Sequence, residues 1–560
     1  MKKIFCTAFF AAAVISLCGC SDSGGALFDD ESTAENRNES SVSDNQTDNN
    51  NSNNKNNSSN NNENHNENVK KSEFTAPVLY IKTKNQSSNA LDFVTKPVAA
   101  HVSESIASWT TGYKIPPAPY YEECLVSMTG SDGREIFSNK DAKVKVRGNW
   151  TTSYQKKPLR IKFEQKQEMD GLNNNLQAKN WVLLAGYKDA SLLRDRTVLA
   201  LSREILGRDG LYAADSELVE VNINDEYRGV YLLTDMQQVN SGRVNISKAE
   251  KDYTGTDIGY FMEFDGYYNY EDELQNFSID YADNAPLIPF NGDNENGKPV
   301  RCLNEGGNDL KIDTGITIKS DIYSPEQRDF IASYVNNVYR IMYNAAYNDR
   351  AYIFDDSYSE IILTNNITPQ QAVEKVVNTQ SLADMYIINE IACDADIYWS
   401  SFFMDADFGD GGDKRLTFEA PWDFDSALGN KRVENSMGFF AANTVYDVND
   451  RYQTINPWLA VLMHEDWFKD IISEKWTEIY NSGVFDDIYS MIENDTEKYS
   501  DAIERNYRKW NNINSSDISS ELVKSAADCK NQKEAAEYLE KWLKKRVEFL
   551  NNYWYGKDSK

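Results

Sequence analysis

The sequence predicts an α+β fold with a smaller β-rich part at residues 74–240 and a larger, mainly helical part at residues 241–556. In the first part, short apolar runs such as 76–83 and 159–163 are bounded by turn residues, which is typical of strands. In the second part, apolar residues recur every three to four positions, as in 370–392, which indicates helices. Aromatic residues make up 12% and apolar residues 40% of the 560 residues, which is enough for a large core.

The charge and histidine content exclude several classes of function. Lys and Arg number 58 and Asp and Glu number 88, so the net charge of −30 argues against a nucleic-acid-binding surface. The three histidines, His65, His101 and His464, are too few for most zinc or Ser-His mechanisms once His65 is placed in a polar tract. Any chemistry is therefore expected from Asp, Glu, Lys and Arg.

The N-terminus predicts export and a lipid anchor. Residues 1–19 read as a lipoprotein signal peptide, with two lysines before an apolar run and a Leu-Cys-Gly-Cys ending that resembles a bacterial lipobox. Cys20 is the predicted lipidation site, and an ordinary signal peptide is the alternative. Residues 20–73 form a predicted disordered linker, since Asn fills 14 of the 30 positions from 41 to 70. The folded part is expected on the extracellular face of the membrane, attached only through its lipid.

Two features of the β-rich part suggest a phosphate-binding region. The strand at 142–146 leads into Arg147-Gly148-Asn149, where a glycine allows close approach to a ligand. The following strand, 159–163, carries Lys162. Two strands joined by a glycine-containing connection can cradle a phosphate, although many hairpins share this pattern. Further on, Asp189 is expected to cap a helix that ends near Leu206, and the Asn224-Asp225 turn between two apolar runs predicts a β-hairpin. The apolar spacing of residues 456–556 predicts helices there.

Five strings in this order resemble the CotH family. They are Arg147-Gly148-Asn149, the run 157–163, Trp181-Val182-Leu183-Leu184 with Asp189 and Arg194, the run 221–232, and Pro421-Trp422-Asp423-Phe424-Asp425-Ser426-Ala427-Leu428-Gly429-Asn430. The resemblance implies an atypical, protein-kinase-like bilobal fold, with a β-rich N-lobe at 74–240 and a helical C-lobe at 241–556. The acidic, Asn-rich composition of about 266–310 predicts a loop-rich insertion in the C-lobe. It also implies phosphorylation of a protein hydroxyl on Ser or Thr, with ATP and Mg²⁺ or Mn²⁺.

Carboxylates in the second half supply candidates for that chemistry. A predicted helix at 370–392 precedes Asp394 and Asp396, and a predicted hairpin with a strand at 399–404 delivers Asp423 and Asp425. One Asp can deprotonate a hydroxyl while another holds the metal against ATP. Asp396 is the predicted base, with Asp394 as its rival, and Asp423 and Asp425 are the predicted metal ligands.

The cationic contacts and the competing functions complete the interpretation. Lys162 and Arg147 are the predicted phosphate contacts. Ser401 stands five residues after Asp396, where kinases usually carry a metal-binding Asn, so a non-catalytic, pseudokinase-like surface module that binds a partner protein or polymer is the main alternative. A glycosidase that uses two carboxylates is a third possibility, although no spacing selects it.

Overall fold

The computed structural model describes residues 75–100, 103–291, 302–303, 309–310, 312, 314–446 and 453–557. The predicted signal peptide, with Cys20, and the predicted linker lie outside these residues. Strands dominate the chain up to residue 234 and helices dominate it after residue 324, so the predicted α+β class is confirmed.

Seven strands close into a barrel, in the order β1-β2-β3-β4-β5-β7-β6. All neighbours pair antiparallel except β1 and β6, which pair in parallel and close the barrel. The strands are β1 (Val78–Thr83), β2 (Glu122–Thr129), β3 (Glu135–Val146), β4 (Leu159–Gln167), β5 (Ala178–Leu184), β6 (Ser216–Ile223) and β7 (Glu226–Thr234).

The alternation of buried and exposed side chains along these strands explains why one face of each strand points into the barrel. Leu79 and Ile81 of β1 point into the barrel core with Ile161 of β4, while Tyr80 between them is exposed. Asn224 and Asp225 form the predicted two-residue turn between β6 and β7, and both adopt positive φ angles, which suits this type of hairpin.

Smaller sheets lie in the second part of the chain. A five-stranded sheet has the order β16-β15-β8-β12-β9, a four-stranded sheet the order β11-β10-β18-β17, and β13 pairs with β14. The strands are β8 (Gly259–Asp265), β9 (Asn276–Phe277), β10 (Cys302–Leu303), β11 (Asp309–Leu310), β12 (Gly315–Ile318), β13 (Ala351–Phe354), β14 (Ile361–Thr364), β15 (Phe402–Asp407), β16 (Thr417–Phe418), β17 (Val445–Tyr446) and β18 (Gln453–Thr454).

The helices pack mainly around α8, which is buried along almost its whole length. The helices are α1 (Asp92–Thr95), α2 (Ser103–Trp109), α3 (Leu172–Asn175), α4 (Arg194–Leu206), α5 (Tyr281–Asn284), α6 (Pro325–Asn348), α7 (Pro369–Glu374), α8 (Thr379–Ala392), α9 (Pro457–Ala460), α10 (Asp466–Asn481), α11 (Val484–Lys498), α12 (Ser500–Trp510), α13 (Ser516–Ser519), α14 (Lys524–Ala527) and α15 (Gln532–Trp554). Short 3₁₀ helices occupy Trp150–Ser153, Gly207–Asp209, Tyr268–Tyr270 and Glu273–Gln275.

Two sequence predictions differ from the structure at element boundaries. The helix predicted at 370–392 is two helices, α7 and α8, because Asn378 caps a new helix by accepting the backbone N–H of Ser381. The strand predicted at 399–404 begins only at Phe402, since residues 394–400 form turns around the carboxylates. In the described part of the chain, no helix has both the length and the apolar character needed to cross a membrane.

Candidate active site

The C-terminal end of α8 positions the first pair of carboxylates. Cys393 follows the helix with a φ of 45°, a left-handed conformation that turns the chain sharply. Asp394 and Asp396 come next, and each is only 1% exposed. Non-glycine residues with positive φ are costly and persist where the surroundings enforce them, often at functional sites.

The turn after β16 positions the second pair, Asp423 and Asp425. Asp423 has a φ of 69°, and the backbone N–H of Phe424 donates to Asp195 Oδ1 at 2.7 Å. The amide of Asn430 donates to the backbone carbonyl of Asp425 at 2.7 Å. Leu428 N–H donates to the carbonyl of Ala392 at 2.7 Å, which joins this turn to the end of α8. The two carboxylate pairs, far apart in sequence, therefore meet at one place.

Two lysines supply positive charge to this carboxylate cluster. Lys188 Nζ lies 3.0 Å from Asp425 Oδ1 and donates to Ser426 Oγ at 2.7 Å. Lys431 Nζ lies 3.8 Å from Asp396 Oδ1. Both lysines are buried, and a buried charge is stable only when it is paired, so the cations and carboxylates depend on one another.

The four carboxyl groups do not share one electrostatic state. Burial raises the pKa of Asp423 well above its ordinary value, and the charges of Asp425 and Asp396 raise it further. Burial also raises the pKa of Asp394 well above its ordinary value, with the charge of Asp396 as the next cause. Burial acts in the same direction on Asp396, but Lys431, with Lys188 and Arg432, outweighs it and holds the pKa of Asp396 below its ordinary value.

Asp195, in the first turn of α4, borders the same cluster. Burial, followed by the charge of Asp425, raises the pKa of Asp195 to about 8. Asp195 is half-buried, and its carboxylate lies between helix α4 and the turn that carries Asp423.

Unpaired oxygens show what the carboxylate cluster could bind. Asp394 Oδ1, Asp396 Oδ2 and Asp423 Oδ2 are buried with no hydrogen-bond partner among the described residues. The described part contains no group of three or more His, Cys, Asp and Glu side chains that could hold a metal ion by itself. Mg²⁺, however, usually takes one or two carboxylates and fills its remaining positions with phosphate oxygens and water. Asp423 and Asp425 fit that requirement.

Ser401 has the unusual backbone of a constrained site. Its φ is 62° and it is 2% exposed, while its backbone N–H donates to Glu263 Oε1 at 2.9 Å. Its hydroxyl has no hydrogen-bond partner in the described part of the chain.

The predicted cationic contacts lie in the barrel region. Lys162 lies on β4 opposite Lys143 and Asn180, and it alternates with core residues, which directs its half-buried side chain to the outer face. The guanidinium of Arg147 lies 5.6 Å from the ring centre of Trp422. Arg147 therefore reaches the turn that carries Asp423. The role of Lys162 stays a prediction.

The residues that sequence reasoning missed are Lys188, Lys431, Ser426 and Asp195. Lys188 and Asp195 lie next to Asp189 and Arg194, and Ser426 and Lys431 lie in or next to the 421–430 string. Their position in or beside the strings that resemble the CotH family was the signal that could have identified them. Asp189 itself accepts the backbone N–H of Arg194 at 2.9 Å, so it fixes the start of α4, four residues later than a cap at Asp189 predicts.

A family model described as CotH kinase protein matches residues 144–550. The chain belongs to the CotH family. The match includes all the carboxylates and both lysines of the candidate site, and it leaves out β1, β2 and most of β3. No curated protein matches the chain.

Proposed function

We propose that this CotH protein is a protein kinase that transfers the γ-phosphoryl group of ATP to a Ser or Thr hydroxyl with Mg²⁺ or Mn²⁺. The observation that carries the proposal is the meeting of Asp396 with Asp423 and Asp425 beside buried lysines. Positioned carboxylates and cations are the main requirement of phosphoryl transfer, since the reaction depends on positioning and charge stabilisation.

Asp396 is the proposed base. A base must be ionised to accept a proton, and its cations keep the pKa of Asp396 low while the pKa of Asp394 is raised. This difference favours Asp396 over Asp394. Asp396 would accept the proton of the substrate hydroxyl while the hydroxyl oxygen forms a bond to the γ-phosphorus of ATP. The bond between the γ-phosphorus and the oxygen that bridges it to the β-phosphate would break, and ADP would leave.

Asp423 and Asp425 are the proposed metal ligands. A divalent cation bound there would supply positive charge to the phosphate oxygens of ATP and would relieve the repulsion between carboxylates. Lys162 and Arg147 remain the proposed phosphate contacts, and we add Lys188 as a third cation because it already pairs with Asp425.

We also propose that the two parts of the fold correspond to the lobes of a kinase-like protein. In this proposal the barrel is the N-lobe and the helices around α8 form the C-lobe. The separate hydrophobic core of the barrel supports this division. We further propose that the protein is tethered through Cys20 and the 20–73 linker to the extracellular face of the membrane, where it meets a protein substrate.

A non-catalytic surface module is the second candidate, and Ser401 is the observation that favours it. Serine is a weaker Mg²⁺ ligand than the Asn usual at this offset, so the site could bind nucleotide without transferring phosphate. Such a module would bind a partner protein or an extracellular polymer.

A phosphotransfer assay separates the two candidates. The chain is incubated with labelled ATP, Mg²⁺ or Mn²⁺ and an extracellular protein fraction, and label on Ser or Thr is mapped by mass spectrometry. We expect label with wild type and none with Asp396→Asn. Asp410→Asn, an exposed Asp in the hairpin turn, is the matched control and should behave as wild type. ATP binding without any transfer would favour the non-catalytic module.

A further inference from the structure

The carboxylate of Asp195 is directed at the backbone between the two proposed metal ligands. Its Oδ1 accepts the N–H of Phe424 at 2.7 Å across 229 residues of sequence. Phe424 is the only residue between Asp423 and Asp425, so this bond holds the peptide that joins Asp423 to Phe424, one residue before Asp425.

The local backbone explains why such a bond is needed. Asp423 has a φ of 69°, Ala420 a φ of 61° and Leu428 a φ of 48°, so three non-glycine residues of this turn adopt left-handed conformations. Conformations of this kind are unfavourable for non-glycine residues and persist only when neighbouring contacts hold them. The Phe424 side chain is 1% exposed and packs in the core, so its ring and its N–H hold the turn from two directions.

The carboxylate of Asp195 is also not used to cap its own helix. It lies in the first turn of α4 and accepts the Phe424 N–H rather than a backbone N–H of its own helix. The start of α4 is instead held by Asp189, which accepts the N–H of Arg194 at 2.9 Å. Asp189 follows Lys188 directly, so one short segment presents both the lysine that pairs with Asp425 and the helix that carries Asp195.

We propose that Asp195 is a positioning residue that holds the Asp423–Asp425 turn in its metal-binding conformation through the Phe424 N–H. This inference rests on the proposed function. It assigns Asp195 an indirect role through the backbone, with no contact to metal or nucleotide.

The test compares two substitutions at Asp195 that differ in one respect. Asp195→Asn keeps an oxygen that can accept the Phe424 N–H, whereas Asp195→Leu has a similar size and no acceptor. Glu204→Leu is the matched control, since Glu204 is an exposed acid on the same helix. Two quantities are measured on each protein: hydrogen exchange of the 421–428 segment, and affinity for Mn²⁺–ATP by calorimetry.

We expect Asp195→Leu to speed exchange at Phe424 and to weaken Mn²⁺–ATP binding by about tenfold, because the Phe424 N–H then loses its acceptor. Asn should rescue most of both losses, and Glu204→Leu should match wild type. If Asp195→Leu does not fold, Asp195→Ala serves as the second variant without an acceptor.

Two results would overturn the proposal. Unchanged exchange at Phe424 in the Leu or Ala variant would show that Asp195 does not hold the turn. A loss of affinity in Asp195→Asn equal to that in Asp195→Leu, with Phe424 still protected, would show that Asp195 acts through its charge. If wild type binds no Mn²⁺–ATP, the proposed function fails, and the exchange measurement alone then decides whether Asp195 holds the turn.

Discussion

Lys188 shows at the residue scale how the candidate site depends on buried charge. It pairs with Asp425 and is itself only 2% exposed. Lys188→Met should lower the free energy of unfolding by about 3–5 kcal/mol, because a buried carboxylate then loses its ion-pair partner. Urea unfolding measures the effect. Lys166→Met, at an exposed position of β4, is the control and should change stability by less than about 0.5 kcal/mol. Equal effects of the two substitutions would contradict this prediction.

Sequence reasoning at the residue scale found the carboxylates but not their partners. Asp423 and Asp425 stand between large apolar residues, and buried acids need partners, so their pattern was informative. Apart from its place beside Asp189, nothing in the sequence around Lys188 distinguishes it from a surface lysine. Its ion pair with Asp425 exists only because the connection between β5 and α4 meets the turn after β16 in the fold.

At the scale of elements, the barrel depends on β1. This strand pairs antiparallel with β2 and in parallel with β6, and Leu79 is fully buried in the barrel core. Leu79→Ala should cost about 2–5 kcal/mol in unfolding free energy, since a cavity would remain in the core. Its neighbour Tyr80 is 45% exposed, so Tyr80→Ala should cost far less. Similar losses of unfolding free energy at both positions would contradict the assignment of Leu79 to the barrel interior and Tyr80 to its outer face.

Glu419, just after β16, gives a pH prediction for the hairpin that precedes the proposed metal ligands. Burial raises the pKa of Glu419 to about 7 from its ordinary 4.5. Between pH 4.5 and pH 7 the folded chain therefore keeps the Glu419 proton that the unfolded chain releases. The contribution of Glu419 to the free energy of unfolding is complete below pH 4.5 and is lost as the pH rises to 7. Each pH unit in that window lowers the free energy of unfolding by about 1.4 kcal/mol.

Glu419→Gln should remove this pH dependence, since an amide does not titrate in this range. Relative to wild type, the variant should gain stability between about pH 5 and about pH 7, as measured by urea unfolding at both values. A difference between variant and wild type that does not change with pH would contradict the prediction. The Gln side chain can still accept the Tyr212 N–H that Glu419 binds, so loss of that bond is not a competing cause.

The elements themselves were largely predictable, and their ends were not. The hairpin of β6 and β7 followed from its Asn-Asp turn, and the helices at the C-terminus followed from their apolar spacing. The break between α7 and α8 was missed because the apolar stripe continues across it. The late start of β15 was missed because Trp399 has the aromatic character of a strand residue, although it lies in the turns at 394–400 that hold Asp394 and Asp396.

For the whole molecule, the structure predicts where the folded unit begins. The family match starts at residue 144, but β1, β2 and most of β3 precede it and contribute to the barrel. A fragment of residues 75–557 should unfold cooperatively, whereas a fragment of residues 144–557 should expose the barrel core and fail to do so. Circular dichroism during heating measures both. A cooperative transition in the shorter fragment would show that the first strands are dispensable.

The closure of the barrel is the feature of the whole molecule that the sequence did not predict. Strands β1, β3 and β4 could be recognised from their own residues, but the parallel pairing of β1 with β6 joins residues about 140 positions apart, and no local pattern encodes such a pairing. The kinase-like interpretation came from the order of the strings that resemble the CotH family. The kinase activity itself remains a proposal.

Metal-dependent binding of ATP is the measurement that tests the central claim most directly. Melting temperatures of residues 75–557 and of its Asp423→Asn variant are recorded with rising ATP, with and without Mn²⁺. A ligand that binds only the folded state raises the melting temperature once its concentration exceeds the dissociation constant. We predict a rise that requires both ATP and Mn²⁺ and is lost in Asp423→Asn. No rise in wild type, or an equal rise in the variant, would contradict the assignment of Asp423 to a nucleotide–metal site.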